Sequence, residues 1–399
     1  FHNILCCYIL ISLQLKEFFR VDENMMSHLK KYAALVIQSR VLWMRSMENW
    51  RYSFNLTRCY SSEETESNIT KTSVIFSGIQ PTGVIHLGNY LGAVRQWVDL
   101  QENYNPIYSI VDLHSITLPY DHKTLPDSIL TMAATLIACG IDPSKSILYQ
   151  QSKVLEHSSL CWVLTCLTTI PQLNRFPQFK EKSAAFKNKS VPTGLFLYPA
   201  LQTADILLYK TTHVPVGEDQ YAHINLAANL ANLFNNKYGK TFPIPKTIKA
   251  PETIARIKSL RNPSSKMSKS EQDKRSRIEL LDSPCEIREI IKKSVTDCTS
   301  EVYFDPVNRP GVSNLMTIHH ALTAKSYETI RKDCEHIDTG KYKLLLADVI
   351  IEYLKPIRLK TLQLLNEKQY LISILNQGSD KASEKAKHTL EEVYKKIGI

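Results

Sequence analysis

No C-x-x-C pair occurs among the nine cysteines of this 399-residue chain, and their number is odd. Nothing therefore suggests a zinc knuckle or a disulfide framework, and no metal-ligand spacing stands out. The scattered thiols read as reduced and mostly buried. No run of eighteen apolar residues is present, so no membrane-spanning helix is expected, and there is no internal repeat. What the chain does have is the length for two or three domains and a sizeable core. It also has 49 Lys and Arg against 39 Asp and Glu, a net charge of +10. That balance favours a polyanionic partner, nucleic acid first, over the blander reading of a solvated basic surface.

Part of the excess sits in a leader. The chain opens on Phe1, with Met25 and Met26 as candidate starts. From Met25 to Ser62 the basic residues are Lys30, Lys31, Arg40, Arg45, Arg51 and Arg58, and Glu48 is the lone acid. Serines recur, and Leu35, Val36, Val41, Leu42 and Trp43 can line one helical face. Arg-rich, Ser-containing, acid-poor and amphipathic is the pattern of a mitochondrial transit peptide. Arg58-Cys59-Tyr60-Ser61-Ser62 suits processing, and Glu63 to Thr72 reads as a polar linker. The competing reading is a basic arm. The apolar opening Ile4 to Leu15 would compete with import if translation starts upstream. The body stays basic without the leader.

Order is expected from Ser73. Val74-Ile75-Phe76, Ile107 to Val111 and Ser146 to Tyr149 read as buried parallel strands, with helices over 87–100 and 126–139 between them. Strand–helix–strand–helix–strand argues a doubly wound α/β sheet. Helical patterns follow at 158–176, 198–208 and 223–238, then at 285–294, 312–324, 341–375 and 383–396, with no strand signal after Leu280. The expected architecture is α/β: a leader (1–72), a Rossmann-like catalytic domain with a helical insertion (73–280) and an all-helical C-terminal domain (281–399).

Ligands of open α/β sheets bind at the carboxyl ends of strands, near helix N-termini. The loop Gly78 to Asn89 joins the first strand to the first helix. Gly83 and Gly88 leave room for a nucleotide, and His86 and Asn89 offer donors to phosphate or ribose. A tight turn is the simpler reading of such a loop taken alone. Lys266-Met267-Ser268-Lys269-Ser270 follows a turn-rich stretch. Its two ammonium groups and two hydroxyls suit a pyrophosphate leaving group, although by itself it equally fits a solvated basic loop. Asp205 lies in an apolar helical segment, where a carboxylate needs a partner. Being acceptor-only, it suits a donor such as an indole N–H; a salt bridge or helix cap is the alternative. His114 sits at a strand end. Trp97 and Trp162 read as core.

Together, His86-Leu87-Gly88-Asn89 and Lys266 to Ser270 resemble the paired signature of class I aminoacyl-tRNA synthetases. Ser77 to Gly83, Val111 to His114, Gln178 to Ser183, Ala204 to Tyr209 and Val214 to Gln220 resemble the tryptophanyl family of the bacterial and mitochondrial type, over roughly residues 73 to 399. Asn89 departs from the wider class, which often has His there. Gln202 is polar where bacterial relatives can carry Met.

The resemblance implies roles. Gln80, Pro81, Thr82, Gly88, Asn89 and Ile257 would bind ATP, together with Lys266, Met267, Ser268, Lys269 and Ser270. Gly217, Glu218 and Asp219 would shape the region between nucleotide and amino acid. His86, Lys266 and Lys269, with Lys182, would stabilise the phosphates as pyrophosphate leaves. Asp205 would accept from the tryptophan indole, Tyr198 and Gln220 would hold the amino group, and Phe76 and His114 would line the indole pocket. ATP with Mg²⁺, L-tryptophan and tRNA(Trp) are the implied substrates, and a homodimer in the mitochondrial matrix the implied state. A tyrosyl-type enzyme and a catalytically inactive RNA-binding relative are the alternatives.

Overall fold

The structure, a computed structural model, describes residues 73–184, 186, 190–248, 257–269 and 271–399. The leader and Ser270 lie outside the described residues. Ser67–Ile399 is one compact unit.

The chain enters through β1 (Val74–Ile79), whose central residues are buried on both faces, as a central parallel strand requires. A helical run follows as Leu87–Asn89, a π-turn at Tyr90–Val94 and Arg95–Leu100, together α1. Next come β2 (Asn105–Ile110), the one-turn α2 (Asp112–Ser115), α3 (Leu125–Cys139) and β3 (Ile147–Gln150). Helices α4 (Glu156–Thr165), α5 (Ile170–Asn174), α6 (Pro177–Ala184) and α7 (Thr193–Leu207) form the insertion. Then β4 (His213–Pro215), α8 (Tyr221–Tyr238) and β5 (Lys246–Ile248) complete the sheet. The remainder is helical: α9 (Pro284–Lys292), α10 (Pro310–Thr323), α11 (Tyr327–Asp333), α12 (Thr339–Asn366) and α13 (Lys368–Ile397).

All strand pairs are parallel and the order is β3-β2-β1-β4-β5. The order reverses between β1 and β4, so the loops leaving their carboxyl ends flank the crevice where such sheets take ligands. Those loops are Gln80–His86 and Val216–Gln220. Two apolar cores result. One joins α1, α3, β3 and helices α9 to α12; the other joins β1, the insertion, α8 and the end of α13.

Several sequence expectations are corrected. β4 and β5 are three residues each, too short to show a pattern. Helix 158–176 is broken at Thr169, whose side chain and Gln172 form a capping box for α5. The 341–375 helix ends at Asn366 and restarts at Lys368, and α11 was missed. Trp97 is core, stacked on Tyr108 at 5.1 Å, but Trp162 is 70% exposed. Of the six described cysteines, Cys139 and Cys334 are buried, Cys161 is half-buried, and Cys166, Cys285 and Cys298 are exposed. Among the described residues no helix is long and apolar enough to cross a membrane.

The last helix docks on the sheet through small residues. A Cβ on Gly378 would lie 1.9 Å from the Leu148 carbonyl oxygen of β3. Because that atom is backbone, an alanine there must lift α13 off the sheet. Gly378→Ala should destabilise the fold by about 1–3 kcal/mol, read as a lower thermal midpoint, while Lys387→Ala on the exposed face of α13 leaves the midpoint in place.

Candidate active site

His86 is the N-cap of α1, and its Nδ1 accepts a hydrogen bond from the Asn89 amide at 3.2 Å. With Nδ1 occupied as an acceptor, the ring proton belongs on Nε2. Burial holds the imidazole pKa down to about 3, and the charges of Lys269, Arg277 and Lys266 add to the effect. His86 is therefore a neutral donor at neutral pH, not a cation. The main chain around it is fixed from the second half of the site: Leu87 N donates to Ile278 O at 2.8 Å and Leu280 N to Ile85 O at 2.9 Å.

The turn before it is tight. Thr82 N donates to Gln80 O at 2.8 Å, and Gly83 has φ +88°, a conformation costly for other residues. Pro81 is buried beneath it, Thr82 is exposed, and Gln80 and Asn89 are half-buried.

The Lys266–Lys269 segment reaches this turn directly. Lys269 Nζ donates to the carbonyl oxygens of Thr82 (3.2 Å) and Gly83 (3.0 Å). Burial lowers its pKa to about 8; Glu279 opposes that shift and Arg277 reinforces it. A Cβ on Gly88 would lie 3.2 Å from the His86 ring and 3.4 Å from Met267 Cβ, so the two motifs close on each other where only glycine fits comfortably. Behind them runs a hairpin. Met267 N donates to Ile257 O at 3.0 Å and Ser259 N to Ser265 O at 2.9 Å. Asn314 of α10 pins it, accepting from Lys258 N (2.8 Å) and donating to Lys258 O (3.0 Å). Ile257 and Met267 are buried, with their side chains in the core. Lys266 is exposed and Ser268 half-buried.

The second centre is Asp205, 1% exposed on α7. Its Oδ2 accepts from His114 Nε2 at 2.8 Å and its Oδ1 from Gln151 Nε2 at 2.7 Å. His157 Nδ1 stands 2.6 Å from Oδ1, a short contact that is oblique to the ring N–H. Burial alone would raise the carboxyl pKa, but His157 and His114 override it and hold the group well below the usual carboxylate range. His114 belongs to α2 at the end of β2, and its ring is edge-on to Tyr198 at 6.4 Å. Phe76 is 3% exposed and stacks on Tyr209 at 5.8 Å. Through Tyr209, whose hydroxyl meets His157, that stack backs the Asp205 region.

Between the centres, Tyr198 O–H pairs with His223 Nε2 at 2.8 Å, and Lys182 Nζ lies 5.3 Å over the Tyr198 ring. Burial, then Lys182, lowers His223 to about 4, and burial lowers the Lys182 ammonium as well. Gln202 donates to Gln220 Oε1 at 3.2 Å, and Gln220 donates to Asp219 Oδ2 at 2.7 Å. Gly217, Glu218 and Asp219 are exposed after β4, and a Cβ on Gly217 would meet Asp219 Oδ1 at 2.8 Å.

Four polar residues that the sequence reading passed over join the site: Gln151, His157, His223 and Arg277. Gln151 follows β3 directly, and its place at a strand's carboxyl end was a usable signal. The other three carry no local pattern.

A neutral donor and lysines at the switch point, beside a buried acceptor, define a nucleotide-using α/β enzyme that also takes a ligand with an N–H or O–H donor. The model of the class I tRNA synthetases (W and Y) matches residues 68–355. The tryptophan–tRNA ligase 2 of Streptomyces avermitilis is 44% identical over 326 residues, covering 82% of this chain and 96% of its own. The chloroplastic/mitochondrial tryptophan–tRNA ligase of Arabidopsis thaliana is 41% identical over 350 residues, covering 85% of each. The tryptophanyl-tRNA synthetase of Campylobacter jejuni, solved with ADP and tryptophan, superposes with TM-score 0.72 at 33% identity, over 82% of this chain and all of that one. The chain belongs to the tryptophan–tRNA ligase family of class I tRNA synthetases.

Proposed function

We infer that this chain activates L-tryptophan with ATP and transfers it to tRNA(Trp), in the mitochondrial matrix. The observation that carries the activation step is the contact of Lys269 with the Thr82–Gly83 turn. It brings the two halves of a nucleotide clamp together at a sheet switch point.

In the first step a tryptophan carboxylate oxygen attacks the α-phosphorus of ATP. The bond to the β-phosphate oxygen breaks, giving tryptophanyl-adenylate and pyrophosphate. The nucleophile brings its own charge, so positioning and electrostatics supply the acceleration. His86 donates through Nε2 as a neutral group. Lys269 and Lys266, with Lys182, carry the positive charge that meets the leaving pyrophosphate. Gln80, Thr82, Gly88 and Asn89 hold the nucleotide, and Mg²⁺ arrives on the phosphate oxygens of ATP. Asp205 accepts from the indole N–H, and Tyr198 and Gln220 hold the amino group. In the second step a hydroxyl of the terminal ribose of tRNA attacks the activated carbonyl and AMP leaves. The helical segment 281–399 is assigned to the anticodon.

Tryptophan-dependent ATP–pyrophosphate exchange by the purified protein tests this. Exchange with tyrosine instead would overturn the specificity, and tRNA binding without exchange would favour an inactive RNA-binding relative. A fluorescent fusion of residues 25–72 should enter mitochondria, and a cytosolic fusion would remove the matrix assignment. We assign the homodimer contact to α4 and α5. Leu155 and Trp162 share a face two turns apart, and with Ile170 they are 70–75% exposed. Sedimentation equilibrium should give twice the chain mass; a monomer would refute the assignment.

A further inference from the structure

His157 is fully buried, yet it lies outside the segments whose resemblance pointed to the family. Its Nδ1 meets Asp205 Oδ1 at 2.6 Å, while its Nε2 lies 2.8 Å from the Tyr149 hydroxyl and 2.9 Å from the Tyr209 hydroxyl. The ring stacks on Tyr149 at 5.9 Å. Tyr209 in turn stacks on Phe76 of β1. The imidazole is thus hydrogen-bonded at Nε2, packed on one face and set against the carboxylate at Nδ1, by residues of β3, α7 and the turn just after α7.

The consequence for Asp205 is a matter of counting. A carboxylate offers about four lone-pair positions, two on each oxygen. Oδ1 accepts from Gln151 and has His157 Nδ1 against it at 2.6 Å, oblique to the ring N–H, whereas Oδ2 receives His114 alone among the described residues. One acceptor position on Oδ2 is left, beside His114. The carboxylate cannot rotate to present Oδ1 without breaking both contacts.

We propose that His157 is a positioning and specificity-determining residue: by occupying Oδ1 it aims the remaining Oδ2 lone pair at the substrate's ring N–H. This rests on the reading of Asp205 as the indole acceptor. It adds that selectivity for the N–H depends on a residue that need not touch the substrate.

The test uses two substrates of nearly equal shape, tryptophan and its benzothiophene analogue, in which sulfur replaces the indole N–H. Exchange kinetics give kcat/KM for each with the full-length protein. The wild-type ratio should favour tryptophan by roughly 10³ or more, as expected where a buried acceptor is left unpaired by the analogue. His157→Leu should lower that ratio at least about tenfold, by raising the KM for tryptophan while the KM for ATP stays put. His157→Asn, whose amide can still donate to Oδ1, should restore most of the ratio. Equal losses for both substrates in His157→Leu, with the ratio intact, would make His157 merely structural and overturn the proposal. A wild-type enzyme with no preference between the two would instead overturn the indole-acceptor reading beneath it. Should His157→Leu not fold, Tyr149→Phe combined with Tyr209→Phe removes both partners of Nε2 and keeps the rings. A fall in the ratio then supports the proposal, and an unchanged ratio refutes it.

Discussion

Lys269→Ala is expected to lower the rate of adenylate formation by roughly 10²–10³, the range for deleting one preorganised group aimed at developing charge. The KM for tryptophan should stay within about a factor of two, because Lys269 contacts the Thr82–Gly83 turn and nothing around Asp205. The structure also gives this lysine a titration to watch. Burial has brought its ammonium to about 8. As pH rises through that value the free enzyme loses the cation, so kcat/KM for ATP should fall on an alkaline limb near 8. Lys269→Arg keeps a charge that does not titrate, and although the fork fits the turn less well, the limb should move out of range. Exchange rates between pH 6.5 and 9.5 check both points. A wild-type limb near 8 that persists unchanged in Lys269→Arg would assign it to another group. An unchanged rate in Lys269→Ala would remove the leaving-group role altogether.

The parts of this molecule that were legible in the sequence are those with local signatures. Apolar runs marked β1, β2 and β3, and glycines and basic residues marked the two loops of the nucleotide clamp. The resemblance then located Asp205, Tyr198 and Gln220. What stayed hidden is what the tertiary fold brings together. β4 and β5 are held by parallel pairing to neighbours already in the sheet, so three residues suffice and no periodicity develops. His157 and His223 become polar partners of Asp205 and Tyr198 only because α4, α7 and α8 pack together. His86 was recognised, but its protonation state depends on burial and on three cations distant in sequence. Trp162 shows the same limit from the other side. Its hydrophobicity implied burial, and within this chain it faces outward.

Asp205→Ala should have the largest combined effect on stability and selectivity. Removing the carboxylate leaves His114, Gln151 and His157 without their common partner, all of them buried. Breaking a buried charged network from one side typically costs about 3–5 kcal/mol, so thermal unfolding should begin several degrees lower. Asp205→Asn is a sharper probe. Its amide retains one acceptor but turns two donors toward either His114 or the Gln151–His157 pair, so it too should destabilise, although it preserves volume. With either variant, kcat/KM for tryptophan should fall roughly 10²–10³, since a hydrogen bond to a charged group is lost together with the geometry around it. The stability gap carries a pH signature. The folded-state carboxyl pKa is depressed below its unfolded value, so its stabilisation is complete above the unfolded pKa, about 3.9. It is lost only as pH falls through the depressed folded value. The difference in unfolding free energy between wild type and Asp205→Ala should therefore be constant from pH 7 down to about 5 and shrink only in stronger acid. Denaturant unfolding at pH 7, 5 and 3.5 measures this. A gap that closes already between pH 7 and 5 would mean that the folded-state carboxyl is not held below its unfolded pKa.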